Sequence, residues 1–356
     1  MTRREFLLAT AAMAPLPCLP APLSAQAPAS GVPGAGRVEV LKSVRGVPPE
    51  IVGAFRDPVS FTQAASGQYF VFDRQGHTIY GIDAALTGAW KIVEVGGERG
   101  RILQPTGFSL APNGTFVVAD SPGERERIQL FGSGGALLGG FTLPGRAEGI
   151  ITIGGVAMNG AGSLHYTGRT LLLSLPETGA LIAEYSMSGT AIRTFGNLRT
   201  TGQESDRQVH LALNSGIPLQ ARDGGFYFVF HAGVPVFRKF DPSGRFLFER
   251  HIEGIELDET VNSLPTRWPR RVPSPGGELL PLVSPIVRTA AVDARGNLWL
   301  SFTGTAHNYV YDPAGDKARV VRLQAAGTLA PSGLFFSHTG RLLVAPGCYE
   351  FNPGRR

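Results

Sequence analysis

The sequence predicts an all-β protein in which short four-stranded antiparallel units repeat around a ring. Three observations predict it. The first is the stretch Gln104 to Leu143, which reads as four strands: Gly107 to Ala111, Phe116 to Ala119, Ile128 to Phe131 and Leu137 to Leu143. A Pro-Asn-Gly turn at 112–114, a polar loop and a glycine turn separate them. The second is repetition. A turn glycine precedes a β-rich run six times, at Gly67 (QYFVFD), Gly114 (TFVVAD), Gly168 (RTLLLSL), Gly224 (GFYFVF), Gly296 (NLWLSF) and Gly340 (RLLVAP). The third is composition: 47 Gly and 27 Pro with only 17% charged residues favour many short strands over long helices. Together they predict a six-bladed β-propeller of four-stranded antiparallel blades, spanning residues 37–352, with a short tail at 353–356.

Residues 1–27 precede this domain and read as an export signal. Thr2-Arg3-Arg4-Glu5-Phe6-Leu7 resembles the twin-arginine motif, an apolar run follows to Ala14, and Ala25-Gln26-Ala27 offers a small-residue cleavage site. The expected destination is periplasmic or secreted. The apolar run is too short to cross a bilayer, so no membrane span is expected in the mature chain. Pro17 occupies the place before Cys18 where lipid attachment needs a small residue. Cleavage leaves Cys348 as the only cysteine, which excludes an intramolecular disulfide despite an oxidising destination. Residues 28–36, rich in Pro, Gly, Ala and Ser, read as a flexible spacer.

The inner strands read VSFTQ, GFSLA, SLHYT, GIPLQ, TAAVD and GLFFS, each followed by its marker glycine and second strand. Third and fourth strands follow: HTIYGID and WKIVEV, ALIAEYSMSG and TAIRTFG, VPVFRKFDPSG and RFLFERHIEG, YVYDPAG and ARVVRL. The last unit runs out of chain after Cys348 to Phe351. Arg37 to Val44 is therefore expected to supply its fourth strand, hiding two sheet edges. Two connections exceed plain turns, 197–214 and 254–285, and both are expected on the face that carries the loops between second and third strands.

QPTGFSLAPNGTFVVADSPGERERIQLFGSGG and VDARGNLWL resemble the NHL-repeat type of six-bladed propeller within the broader TolB-like group, over nearly the whole mature chain. The resemblance specifies a fold better than an activity, since such propellers include hydrolases, lyases, sensors and binding scaffolds.

Charge narrows the partners. A net charge of +5 over 356 residues, with the arginines scattered, lacks the dense basic stripe of a nucleic-acid binder. Arg56, Arg74, Arg125, Arg127 and Arg288 fall near the loop face, and Arg267, Trp268, Arg270 and Arg271 cluster in the longer connection. They predict an electropositive funnel for a small anionic ligand or a protein partner. The enzymatic alternative is a metal-dependent hydrolase, lactonase- or esterase-like, or a lyase, with a divalent metal at the channel mouth. Related metal-dependent propellers hold their cation with inner-strand Glu, Asn and Asp. Here the inner strands offer only Asp293, with Asp57 and Asn214 near their entrances. His210, His231 and His307 are the imidazole candidates for such a metal, each on a different blade. His165 and His338 fall toward the opposite face. No nucleophile elbow, phosphate loop or haem motif occurs, and a lone Cys348 reads as a small buried apolar residue. A binding propeller is thus the leading expectation.

Overall fold

A computed structural model describes residues 38–123, 125–143, 151–153, 156–158, 163–271 and 279–354. The chain divides into two units, 1–36 and 37–356, and all described residues belong to the second. The segments expected to be an export signal (1–27) and spacer (28–36) lie outside the described residues.

The chain begins with β1 (Glu39–Gly46) and a short helix, α1 (Pro49–Val52). Next come β2 (Pro58–Gln63), β3 (Tyr69–Asp73), β4 (Thr78–Ile82) and β5 (Ala89–Val93), then β6 (Pro105–Leu110), β7 (Phe116–Asp120), β8 (Arg127–Phe131) and β9 (Leu137–Thr142). A small hairpin, β10 (Ile151–Ile153) with β11 (Val156–Met158), leads to β12 (Leu164–Tyr166), β13 (Thr170–Leu173), β14 (Ala180–Ser186) and β15 (Ala191–Asn197). Helix α2 (Arg207–Leu213) precedes β16 (Gly216–Gln220), β17 (Phe226–Phe230), β18 (Val236–Phe240) and β19 (Phe246–His251). Helix α3 (Ile255–Asn262) and a second small hairpin, β20 (Arg270–Arg271) with β21 (Leu280–Pro281), follow. The chain ends with β22 (Val287–Val292), β23 (Leu298–Phe302), β24 (His307–Tyr311), β25 (Lys317–Gln324), β26 (Gly333–Phe336), β27 (Leu342–Ala345) and β28 (Tyr349–Phe351).

The expectation of six separate four-stranded blades is corrected by the hydrogen bonding. Four four-stranded sheets form, β2–β5, β6–β9, β12–β15 and β16–β19, but the remaining strands make one eight-stranded sheet in the order β22-β23-β24-β25-β1-β28-β27-β26. The cause lies in β1. Its second half pairs antiparallel with β28 (Ser43 with Phe351, Gly46 with Tyr349), whereas its first half pairs parallel with β25 (Glu39 with Val321, Lys42 with Gln324). One strand thus serves two neighbours, with an irregularity between Ser43 and Arg45 where it changes over.

The arrangement is nevertheless propeller-like. The first strands lie against one another in a closed circuit: β2 against β6, β6 against β12, β12 against β16, β16 against β22, β22 against β26, and β26 against β2. The second strands β3, β7, β17 and β23 are buried throughout, since neighbouring sheets cover both faces. Trp299, Phe228, Phe116 and Phe70 are among the largest fully buried side chains there. All six marker glycines adopt left-handed backbone, from Gly67 at φ 93° to Gly340 at φ 77°, as the tight turn requires. Gly189 and Gly244 have a second duty. Each sits so close to the outer strand of the preceding sheet that a Cβ would meet Phe141 or Phe195 at 2.6 and 2.8 Å.

At the seam, Leu41 is buried with Val321, Leu323, Leu342, Val344 and Phe351, while Glu39 pairs with Arg319 at 2.8 Å on the surface. Truncating Leu41 to Ala should cost about 2–4 kcal/mol, as for a buried leucine. Glu39→Gln should cost under about 1 kcal/mol, as for an exposed ion pair. Denaturant unfolding measures both. Deleting residues 38–46 uncovers β25 and β28 together, and the expected result is insoluble protein without a cooperative melt.

Candidate functional site

Loops between second and third strands, and connections into first strands, share one face of the circuit. At three corners where a second strand ends, a polar side chain meets an incoming chain. Asp73 accepts from the backbone N–H groups of Arg56 (3.0 Å) and Asp57 (2.8 Å), Asp120 accepts from that of Leu103 (2.9 Å), and the Ser174 hydroxyl accepts from that of Gly216 (3.1 Å). These bonds satisfy donors that the turn of the chain would otherwise bury unpaired.

His231 occupies the same corner after β17, and it reaches two other sheets. Its Nδ1 lies 3.1 Å from the Val287 carbonyl, and its Nε2 lies 2.7 Å from the Ser163 hydroxyl. A carbonyl can only accept, so Nδ1 carries the proton and Nε2 accepts from Ser163. The main chain is clamped as well: the His231 carbonyl accepts from the N–H groups of Ile286 (2.7 Å) and Val287 (3.0 Å). One imidazole thereby ties together the sheets containing β12, β17 and β22. Two further hydroxyls on this face, Ser121 and Thr303, are buried with no hydrogen-bond partner.

Three connections converge nearby. Helix α2, whose N-terminus is capped by Asp206, presents Val209, Leu211, Ala212 and Leu213 to Ala232, Val283 and the half-buried Trp268. Arg270 reaches from the longer connection to Asp206 (2.5 Å) and Gln208 (2.8 Å) of the α2 segment, and Gln203 donates to the Thr266 carbonyl at 3.3 Å. Strand β10 lies against both α2 and β21. The segments that stood out in the sequence as separate long connections therefore form one cap.

The predicted arginines divide into two groups. Arg74 pairs with Asp57 at 3.0 Å. Arg127 pairs with the fully buried Asp120 at 2.7 Å and donates to the carbonyls of Gly97 and Arg101. With Arg270, these hold the corners and the cap together. Arg56, Arg125 and Arg267 are exposed and make no ion pair among the described residues. Arg288 donates to the Ala330 carbonyl at 3.2 Å from a bulge at the start of β22. The Arg271 side chain lies outside the described residues.

The imidazole candidates stay apart. His210 bonds Thr201 at 2.8 Å, His307 bonds Thr305 at 3.0 Å, and His231 is engaged as above. Among the described residues no group of three or more His, Cys, Asp and Glu side chains could hold a metal ion. The oxygen candidates are committed too. Asp293 accepts from the N–H groups of Arg295 and Asn297, from the Asn297 amide and from the Trp299 indole. Asn214 bonds the main chain of Arg199 and His210. Burial pushes the Cys348 thiol up to about 12, which keeps it protonated and unreactive.

Sequence reasoning passed over Ser163 and Arg199. Arg199 donates to the carbonyls of Val234 (2.8 Å), Leu213 (2.8 Å) and Ala232, with its guanidinium 4.2 Å above the Phe230 ring. Burial, with the nearby Arg238, pushes it down to about 10. No local pattern marks it, because its partners are backbone carbonyls.

The geometry defines an all-β protein of propeller-like class. No family model matches the sequence, and no curated protein matches it. Among solved structures, the chain is similar to a streptogramin B lyase, with 12% identity over 84% of this chain and 95% of that one and a TM-score of 0.49. It is also similar to the β-propeller domain of Cps50 (Swd1) from Myceliophteria thermophila, with 10% identity, 87% and 98% coverage and a TM-score of 0.48. Virginiamycin B lyase from Staphylococcus aureus gives 12% identity, 84% and 85% coverage and a TM-score of 0.45. Likenesses this distant bear on neither activity nor ligand.

Burial lowers the pKa of His231, and it lowers that of the half-buried His165 on β12 to about 4. Both are neutral in the folded chain and become protonated in the unfolded chain below about 6.5. Their stabilisation is complete above that value and is lost as pH falls toward the folded-state values, by up to about 1.4 kcal/mol per pH unit for each group. His231→Gln should therefore lower stability at pH 7 by about 1–3 kcal/mol through the two disturbed hydrogen bonds. It should also flatten the acid side of a plot of unfolding free energy against pH.

Proposed function

We propose that the chain is an exported, periplasmic propeller-type protein that binds a small anionic ligand or an acidic protein segment on its loop face. The observation that carries this reading is the convergence of three connections into one cap on the face where Arg56, Arg125 and Arg267 extend without acidic partners among the described residues. Guanidinium groups left free beside a folded cap offer planar, permanently charged donors for carboxylate or phosphate oxygens. No observation favours the metal-dependent hydrolase or lyase over this reading. Its candidate ligands, the histidines together with Asp293 and Asn214, are dispersed or already bonded.

Citrate is a suitable probe. It should raise the melting temperature in a saturable way beyond sodium chloride of equal ionic strength, and Arg56→Ser with Arg125→Ser and Arg267→Ser should abolish the rise. Equal effects of citrate and chloride would sink the reading of this face.

Export is supported by the order of arginine pair, apolar run and Ala25-Gln26-Ala27. Replacing Arg3 and Arg4 with Lys should retain the precursor inside the cell at its full length. Continued processing of the double substitution would remove the twin-arginine route.

A further inference from the structure

The opposite face, formed by the glycine turns, carries a cavity of about 570 Å³ where the last sheet meets the first. Its wall holds Gln63 and Tyr69 from the first sheet, and Arg45, Arg341 and Glu350 from the last, with His338 at the rim. A volume in this range suits a small molecule. None of these residues belongs to the loop face, so the site stands apart from the reading above.

Glu350 is the reason to expect a ligand. The residue is buried, at 6% exposure, yet no ion pair accompanies it among the described residues. One carboxylate oxygen accepts from the Tyr69 hydroxyl at 2.5 Å. Arg45 stands directly opposite in the β1–β28 register, but its guanidinium turns away to the carbonyls of Ala84 (3.0 Å) and Ala85 (2.6 Å). Arg45 still acts on Tyr69 through its charge, but no cation touches the Glu350 carboxylate among the described residues; a carboxylate taken out of water without such a contact is costly, and here it borders an open cavity. Burial, and after it the hydrogen bond to that carboxylate, hold the Tyr69 phenol well above its ordinary range, so Tyr69 stays the donor.

Arg341 supplies the opposite charge. It lies two residues from Leu343, which pairs with Glu350 across β27 and β28, and its side chain has no hydrogen bond or ion pair among the described residues. Such diagonal neighbours share one sheet face, and both side chains line the same cavity, so it offers one acidic and one basic group to a small molecule.

We propose that this cavity binds a small zwitterion of the α-amino-acid class, with its ammonium on Glu350 and its carboxylate on Arg341. Gln63, beside the Tyr69 hydroxyl, fixes the phenol, and the rest of the volume takes the amino-acid side chain. The free protein has the acidic group already aligned by Tyr69, so little reorganisation accompanies binding.

Calorimetric titration of the full-length mature protein with L-alanine, L-glutamine and L-leucine tests this, with acetate and methylammonium as single-charge controls. At least one amino acid should give saturable heat, and each single-charge control should bind at least about tenfold more weakly. Glu350→Gln retains an acceptor for Tyr69, and Arg341→Gln changes a partly exposed position. Each should weaken binding by about tenfold or more, the usual loss for one charged hydrogen bond. Arg56→Ser on the loop face should leave it unchanged. No saturable heat with any of the three at about 10 mM, a concentration that detects even weak millimolar binding, would overturn the proposal. So would amino-acid binding that survives both Gln substitutions, or methylammonium binding as tightly as the amino acid.

Discussion

Closure of the ring through β1 is the constraint on which the structure depends. A circuit of sheets that stack side by side has two ends, and each end is an edge of unpaired N–H and C=O groups unless something joins them. Here the join is a strand from the start of the domain inserted between β25 and β28. No disulfide assists it, since Cys348, the only described cysteine, is free and buried. The join therefore rests on ladder hydrogen bonds, on burial of Leu41 and on the packing of Cys348, Leu343 and Ala345 against Phe61, Tyr69 and Val71 of the first sheet. Contacts across it connect residues some 280 positions apart, as in Arg319 to Glu39 and Tyr69 to Glu350. Closing so long a loop costs entropy that grows only slowly with length, but it delays the reward until most of the chain is in place. Folding is then most cooperative at the seam, where both termini must arrive together.

The corners after the second strands show how one backbone problem receives different side chains. Several corners supply an acceptor to a chain entering a first strand, of the same sheet at Asp73 and Asp120 and of the next sheet at Ser174 and His231. Asp73 and Asp120 do so with carboxylates and Ser174 with a hydroxyl. His231 differs in kind. Its main-chain carbonyl performs the same capping duty, which frees the imidazole to span three sheets. The consequence for chemistry is direct: a polar residue at such a corner is first a structural group, and only those left without a partner, such as Ser121 and Thr303, have capacity to meet something else.

The strands were legible because their signals are local. A positive-φ glycine, a following β-rich run and alternation within it are all contained in about ten residues, and the strands fall where those signals place them. The sheet count was not legible. EVLKSVRG has the alternation of a strand, but alternation fixes faces and not partners, and nothing in it distinguishes parallel pairing with β25 from antiparallel pairing with β28. The site was readable in part for the same reason. Arg127 and Asp120 face each other across a single hairpin, seven positions apart, so their pairing follows from local geometry. Arg270 and Asp206 are 64 positions apart, and only the docking of two connections brings them together. Counting arginines on the loop face therefore overstated its free charge.

That distinction between committed and uncommitted charge separates the two faces of the ring. On the loop face the unpaired groups are guanidiniums on mobile-length side chains in water, where each contributes little alone and a multiply charged partner gains from several at once. On the turn face the acidic group is the buried Glu350 carboxylate, which accepts from Tyr69 and makes no ion pair among the described residues, so a single cation there changes the local energy far more. The proposed ligands differ accordingly, an anion for the first and a compact zwitterion for the second. Because the second strands between them are buried and close-packed, the two sites should respond to substitution independently. Linked responses would require a sheet to move as a unit about the axis, and the strand that closes the ring is the place where such a movement would first register.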